Sequence, residues 1–184
     1  MDALPECTML VNASHPLPLE WKPDALVDLW KAQPRHHHLY PRPMMLSACA
    51  AEAANELFAF AEEQGFDDFM VLSAYRDSVY QAELFNRNQD GMVARPGCSE
   101  HQTGLALDIA QVVRGMSLDD AHTAWLAENC WEYGFVVRYP EGREDMTGIP
   151  AERWHLRYVG RDAALEMHER NWVLEEWHEA HQGA

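Results

Sequence analysis

Basic residues are scarce in this chain of 184 residues, where 14 lysines and arginines stand against 30 aspartates and glutamates. The formal net charge of −16 at pH 7 argues against nucleic acid as the main partner, because binding to phosphates needs a basic surface. The same charge argues against an anionic membrane surface. It does not identify a substrate, because a local basic pocket can lie inside an acidic protein.

Cysteine is also rare, and its spacing excludes two kinds of site. The four cysteines, Cys7, Cys49, Cys98 and Cys130, form no Cys-x-x-Cys pair, so neither a cysteine zinc site nor a dithiol redox motif is expected. Widely scattered cysteines in a chain of this length are more typical of reduced thiols than of a disulfide framework. We therefore predict free thiols.

Long apolar runs are absent as well. No run approaches the ~20 residues that a membrane helix needs. The chain begins Met-Asp-Ala-Leu-Pro-Glu, without the basic and apolar regions of a signal peptide. We therefore expect a soluble cytoplasmic protein without a membrane span. The length fits one domain with a single core, residues 1–184.

Proline content and local periodicity predict the organisation of the chain. Repeated prolines in residues 1–43 block a regular helix, so this segment is predicted to be an irregular arm packed on the domain. Helical patterns cover residues 47–64, 78–86, 117–133, 161–171 and 174–181. Ser47 and Ser117 are the predicted N-caps of the first and third of these helices, and Val79 and Ala82 are predicted to face inward in the second. Short strand patterns lie between them without regular strand–helix alternation. This mixture predicts an α+β fold with a small, mostly antiparallel sheet flanked by helices.

One predicted strand, residues 105–110, matters most for function. Side chains alternate between the two faces of a strand, so Leu105, Leu107 and Ile109 share an apolar face. Asp108 lies on the other face between two alanines. A carboxylate with small side chains on both sides is more accessible, so it suits metal binding better than packing in the core.

Three residues of metal-binding type are candidates for a zinc site on this sheet. His101 precedes Asp108 by seven residues, and His155 lies on a second predicted strand. Three protein ligands are the number that leaves a fourth position on zinc for water. Glu152, on the loop before that second strand, could lie over the open position without binding the metal.

Each candidate also has a simpler explanation. A lone histidine in a chain with ten histidines is more often a surface residue or a satisfied core residue, and a strand aspartate can simply bind a turn. The consecutive residues His36, His37 and His38 look like a metal site at first sight. Their side chains point in different directions, however, so we predict an exposed turn there.

The candidates lie within three longer strings of the sequence. These strings are SAYR over residues 73–76 followed by Gln81, PGCSEHQTGLALD over residues 96–108, and ERWHLRYVG over residues 152–160. Together they resemble the motifs of the VanY family of D-alanyl-D-alanine carboxypeptidases. The similarity extends in order over nearly the whole chain. The short length and the lack of a leader resemble the cytoplasmic VanXY-type D,D-dipeptidase/D,D-carboxypeptidases of glycopeptide resistance.

The resemblance implies a role for each matching residue. Zn²⁺ is expected on His101, Asp108 and His155. Glu152 is expected to act as general base and then as general acid, and Arg76 to hold the carbonyl oxygen of the scissile bond or its oxyanion. The residues expected to bind or surround the substrate are Gln81, Ser99, Tyr75 and Trp154.

The resemblance thus implies a zinc-dependent D,D-peptidase. It would remove C-terminal D-alanine from peptidoglycan precursors, hydrolyse D-Ala-D-Ala, or do both. An L,D-carboxypeptidase or a peptidoglycan endopeptidase of the same fold stays open as an alternative. A non-catalytic zinc-bound recognition module is a more remote one, because the expected base Glu152 is present. Neither the motifs nor the composition indicates an oligomeric state.

Overall fold

The computed structural model of the chain describes residues 6–31, 34–88, 93–114 and 117–181. The strands of these residues, numbered in chain order, are β1 (Leu26–Asp28), β2 (His38–Leu39), β3 (Met45–Ser47), β4 (Phe69–Ser73), β5 (Ala106–Gln111), β6 (Phe135–Tyr139) and β7 (Glu152–Tyr158). Five of them form a sheet in the order β2-β4-β5-β7-β6, which is antiparallel except between β2 and β4. A separate antiparallel pair joins β1 to β3.

The helices surround this sheet. They are α1 (Ala48–Glu63), α2 (Ser78–Arg87), α3 (Asp120–Asn129), α4 (Glu144–Thr147), α5 (Arg161–Arg170) and α6 (Leu174–His181). One face of α1 is buried because its apolar residues recur at helical spacing, at Ala50, Ala54, Leu57, Phe58 and Ala61. These side chains pack with residues of β4, β5 and α3 in the main core, while α5 and α6 form a second cluster with Leu10. The predicted α+β class with a mostly antiparallel sheet is confirmed.

Two predicted helix starts differ in detail from the structure. The N-cap of α3 is Asp119, whose carboxylate accepts a hydrogen bond from the backbone N–H of His122, so the prediction of Ser117 as the cap is wrong. The start of α1 is where it was predicted, but the Ser47 side chain makes no capping hydrogen bond. Short polar side chains near a helix start compete for the same role, and sequence alone does not rank them.

Three other expectations need correction. The segment predicted to be irregular contains β1 and β2, and β2 forms an edge of the main sheet. His37 is buried against Phe58, so the prediction of an exposed turn is wrong for this residue. Val79 is 68% exposed, and the buried residue of α2 is Gln81, so the prediction that Val79 faces inward is also wrong.

The cysteines and the lengths of the helices agree with the sequence. All four cysteines are free, as predicted, and Cys130 is buried while Cys49 is exposed. No helix among the described residues combines the length and the apolar character needed to cross a bilayer.

Candidate metal and substrate site

Two neighbouring strands bring two of the candidate ligands together. Asp108 in β5 is directly opposite His155 in β7, so both side chains lie on the same face of the sheet. The other face of β5 carries Leu107, which is fully buried in the main core. The alternation predicted for residues 105–110 is therefore confirmed.

The third candidate, His101, comes from a 3₁₀ turn immediately before β5. This turn, Glu100–Thr103, ends at Gly104, whose φ of +70° is a conformation that glycine adopts without strain. A Cβ on this residue would lie 2.9 Å from Cδ2 of Leu26, so the packing also favours glycine. Gly104 thus allows the chain to turn between His101 and Asp108.

The three candidates place their ligand atoms around a common point. One ligand atom from each of His101, Asp108 and His155 lies within 4.8 Å of the others. Nε2 of His101 is 3.2 Å from Oδ2 of Asp108, and Nδ1 of His155 is 3.0 Å from Oδ1 of Asp108. A tetrahedral zinc ion with bonds of about 2.1 Å keeps its ligand atoms about 3.4 Å apart. The donor set fits Zn²⁺, and no second such group of histidine, cysteine or acidic residues occurs in the described ranges.

Each histidine also contacts a second group through its other ring nitrogen. Nδ1 of His101 donates a hydrogen bond to the carbonyl oxygen of Ala74 at 2.7 Å, which leaves Nε2 facing Asp108. Nε2 of His155 lies 3.3 Å from Oε2 of Glu100, which leaves Nδ1 facing Asp108. Such outer contacts fix the tautomer and orientation of metal-binding histidines. The surroundings of both rings therefore suit a metal site.

The electrostatic environment of the three residues favours a cation. Burial lowers the pKa of His101 to about 4, and the charge of Arg76 acts in the same direction. Burial opposes protonation of His155 too, but hydrogen bonds to Asp108 and Glu100 outweigh it and raise its pKa to about 9. Burial alone would raise the pKa of Asp108, but the two histidines hold it well below its usual range. Without a metal, the ionised carboxylate of Asp108 therefore lies between a neutral His101 ring and a protonated His155 ring, and a bound metal ion would take the place of the proton on Nδ1 of His155.

Glu152 lies beside the three candidate ligands but is not one of them. It is the first residue of β7, so its predicted position on the preceding loop is wrong. Its Oε2 is 3.8 Å from Nδ1 of His155, beyond hydrogen-bond distance. Burial raises the pKa of Glu152, and the negative charge of Asp108 raises it further. A carboxylate with a raised pKa beside a metal site suits proton transfer.

A cavity of about 570 Å³ opens over this group. It is lined by eight of the nine predicted site residues, namely Arg76, Gln81, Ser99, His101, Asp108, Glu152, Trp154 and His155. Tyr75 is half-buried and is not part of the lining. The structure therefore brings together every predicted site residue except Tyr75.

Unpaired polar atoms in the cavity wall mark positions for a ligand. Nη2 of Arg76 lies 3.4 Å from Oγ of Ser99, while its buried Nε has no hydrogen-bond partner among the described residues. Nε2 of Gln81 donates to the carbonyl oxygen of Ala94 at 2.7 Å. This leaves Oε1 of Gln81 buried and without a partner in the described structure. Buried polar atoms without partners are costly, and a bound substrate can satisfy them.

Sequence reasoning missed three buried charged residues behind the site. Glu100 has no exposed side-chain surface, and it forms ion pairs with Arg138 at 2.7 Å and with Arg157 at 3.0 Å. The two arginines outweigh the effect of burial and hold the pKa of Glu100 far below its usual range. A sequence signal existed, because Arg157 follows His155 by two residues and side chains two apart share one face of a strand. Its partner on a distant turn was not apparent from the strand alone.

Comparison with known families agrees with this geometry. The family model described as VanY, D-alanyl-D-alanine carboxypeptidase, matches residues 43–161, which is more than half of the chain. The chain belongs to the VanY family. The matched VanY segment includes the three candidate ligands, Glu152 and the cavity residues of α2 and the turn before β5.

Individual VanY relatives match most of the chain. YodJ of Bacillus subtilis (strain 168) is 35% identical, with 92% of this chain and 66% of YodJ aligned. A D-alanyl-D-alanine carboxypeptidase of Enterococcus faecium is 34% identical, with 92% and 56% aligned. The bifunctional D-Ala-D-Ala dipeptidase and D-Ala-D-Ala carboxypeptidase VanXYC of Enterococcus gallinarum is 31% identical, with 92% of each chain aligned. The chain thus spans less than two thirds of the first two relatives and nearly all of VanXYC.

Solved structures of three carboxypeptidases or D,D-peptidases share the fold. The LdcB LD-carboxypeptidase is similar with a TM-score of 0.81 and 33% identity, over 92% of this chain and 84% of LdcB. VanYB in complex with D-alanine-D-alanine has a TM-score of 0.79 and 28% identity, over 96% and 99%. A mutant of the D,D-pentapeptidase VanY in complex with Zn(II) has a TM-score of 0.78 and 28% identity, over 94% and 99%.

Proposed function

We propose that this protein is a zinc-dependent D,D-peptidase that removes C-terminal D-alanine from peptidoglycan precursors, hydrolyses D-Ala-D-Ala, or does both. The observation that carries the proposal is the grouping of His101, Asp108 and His155 within 4.8 Å, with Glu152 beside them at one cavity. The VanYB complex with D-alanine-D-alanine and the VanY complex with Zn(II) support the substrate and the metal.

In this proposal, His101, Asp108 and His155 hold the zinc ion. When bound, zinc would lower the pKa of a coordinated water and polarise the scissile carbonyl. Glu152 accepts a proton from the attacking water and returns it to the amine of the leaving D-alanine. Burial raises the pKa of Glu152, which makes its carboxylate a stronger proton acceptor.

The wall of the cavity would hold the substrate. The guanidinium of Arg76 is positioned to donate hydrogen bonds to the carbonyl oxygen as negative charge develops on it. The carbonyl oxygen of Gln81 is buried without a partner in the described structure, so it can accept a hydrogen bond from a substrate amide N–H. Ser99 would donate its hydroxyl to the terminal carboxylate. Trp154, which is 41% exposed, supplies an apolar surface at the rim.

Substrate choice is tested by product analysis. The purified protein, loaded with zinc, is incubated with D-Ala-D-Ala, with a pentapeptide precursor ending in D-Ala-D-Ala, and with the matching tetrapeptide. We expect D-alanine from the dipeptide, from the pentapeptide, or from both, and none after treatment with a chelator. Release that persists in the chelator would exclude the metal mechanism.

The similarity to LdcB favours one second candidate, an L,D-carboxypeptidase. That enzyme would release D-alanine from the tetrapeptide and leave the other two substrates intact. A peptidoglycan endopeptidase would instead cleave a cross-linked stem peptide internally. Bound zinc without hydrolysis of any of these substrates would point to a non-catalytic recognition module. The cytoplasmic location expected from the sequence stays a prediction, to be tested by cell fractionation.

A further inference from the structure

The structure points to Glu100 as the residue that positions His155 for metal binding, an inference that rests on the proposed function. Oε2 of Glu100 lies 3.3 Å from Nε2 of His155. The other oxygen, Oε1, lies 2.7 Å from Nε of Arg138 and 3.0 Å from Nη1 of Arg157. One carboxylate thus divides its two oxygens between a histidine and a pair of arginines.

This arrangement fixes the Glu100 carboxylate in place. Glu100, Arg138 and Arg157 are each 2% exposed or less, so water cannot replace the ion pairs. Arg138 also forms an ion pair with Glu175 of α6 at 2.6 Å, which gives two carboxylates for two guanidinium groups. Nη2 of Arg157 donates to the backbone carbonyl of Met9 at 2.8 Å. Both arginines are therefore held from outside the site, and Oε1 of Glu100 is held by both.

The contact with Glu100 determines which ring nitrogen of a neutral His155 carries the proton. A carboxylate at Nε2 accepts the N–H of that nitrogen, so in the neutral ring that binds a metal the lone pair is on Nδ1, which faces Asp108. His101 shows the opposite arrangement, because the carbonyl of Ala74 accepts the N–H of Nδ1. The two rings therefore present different nitrogens to the same ion. Glu100 supplies the charged contact, and Ala74 supplies the neutral one.

Zinc affinity tests this role without any activity assay. Glu100→Gln keeps the shape of the side chain and removes its charge, and we expect zinc to bind about 10–100-fold more weakly. Glu175→Gln is the matched control, because it alters the same Arg138 without contacting His155. We expect a change below about threefold for this control, in line with an outer contact that does not reach the metal site. Both dissociation constants are measured by competition with a chromogenic chelator at one pH.

The possible outcomes separate the inference from the proposed function. Unchanged zinc affinity in Glu100→Gln, or an equal loss in Glu175→Gln, would overturn the positioning role. Failure of the unaltered protein to bind zinc would instead refute the proposed function. If Glu100→Gln does not fold, long-range ¹H–¹⁵N spectra of the unaltered, zinc-loaded protein decide the question. We expect a proton on Nε2 of His155 and on Nδ1 of His101, and a bare Nε2 in His155 would overturn the inference.

Discussion

Asp108 and His155 face each other across β5 and β7, with Oδ1 of Asp108 3.0 Å from Nδ1 of His155. Directly opposed residues of antiparallel strands share one face of the sheet. A slip of one residue in this pairing would turn His155 toward the face where Leu156 joins the main core. The register between these two strands therefore decides whether the proposed ligands meet.

Replacing Asp108 should remove the metal. Asp108→Ala leaves two histidines, one ligand short of the three that an open zinc site uses. We expect loss of most bound zinc, measured as metal content per chain after dialysis. Asp120→Ala is the control, because this carboxylate is fully exposed and pairs only with Arg153 among the described residues. Full zinc occupancy in the Asp108 variant would count against its assignment as a ligand.

Replacing Glu152 should separate catalysis from metal binding. Glu152→Gln cannot accept a proton, so we expect kcat to fall by about 10²–10⁴ while zinc content is retained. Turnover is measured on whichever substrate the unaltered protein hydrolyses, together with the metal content of the same sample. Glu141→Gln, on the exposed loop after β6, should behave like the unaltered protein. Normal turnover by zinc-loaded Glu152→Gln would remove this residue from the mechanism.

Substitutions of a buried residue and of an exposed residue should have very different effects on the free energy of unfolding. Leu107→Ala leaves a cavity in the main core, so we expect the free energy of unfolding to fall by about 2–5 kcal/mol. Val79→Ala alters an exposed residue of α2 and should change it by less than about 0.5 kcal/mol. Urea unfolding of the zinc-loaded proteins measures both values. Similar losses in the two variants would contradict the burial of β5.

Strand alternation explains why much of the site could be predicted. Alternating residues around Asp108 and His155 aim both side chains at the same face, and Gly104 allows the turn that His101 needs. The buried face of a helix was harder to predict, as Val79 illustrates. In α2, the polar residue Gln81 is buried in the wall of the cavity and the apolar Val79 is exposed, so hydrophobicity alone does not identify the buried face of this helix.

The charged residues behind His155 could not be predicted in the same way. Glu100, Arg138 and Arg157 come from a turn and two strands that are well separated in the chain, and each would be unfavourable if buried alone. Their burial is understandable only once their pairing is known. A strand pattern identifies which face a residue occupies, but it does not identify a partner 38 residues away.

Acid should destabilise the protein through His37. Burial lowers the pKa of this ring to about 4, with help from the charges of Arg35 and its neighbouring histidines, against 6.5 for a free ring. The stability linked to the neutral ring is therefore fully present above pH 6.5 and is lost as the pH falls toward 4. The gap between the two pKa values corresponds to roughly 3 kcal/mol, at about 1.4 kcal/mol per pKa unit.

A substitution isolates this effect from other titrating groups. Between pH 7.5 and pH 5, we expect His37→Leu to lose about 2 kcal/mol less unfolding free energy than the unaltered protein does. His168→Leu, at an exposed position of α5 that is not among the groups acting on His37, should retain the original pH dependence. Urea unfolding at the two pH values measures all three proteins. Parallel losses in the His37 variant and the unaltered protein would exclude His37 as the source.

The position of β7 in the sheet has a consequence for the order of folding during synthesis. It is the last strand made among the described residues, yet it lies between β5 and β6, which are both made earlier. Until β7 leaves the ribosome, β5 and β6 each keep an open edge, which is the kind of surface that promotes misassembly. The same strand carries His155. Closure of the sheet and completion of the ligand set are therefore a single late event, and a nascent chain that lacks β7 has neither a continuous sheet nor a full set of ligands.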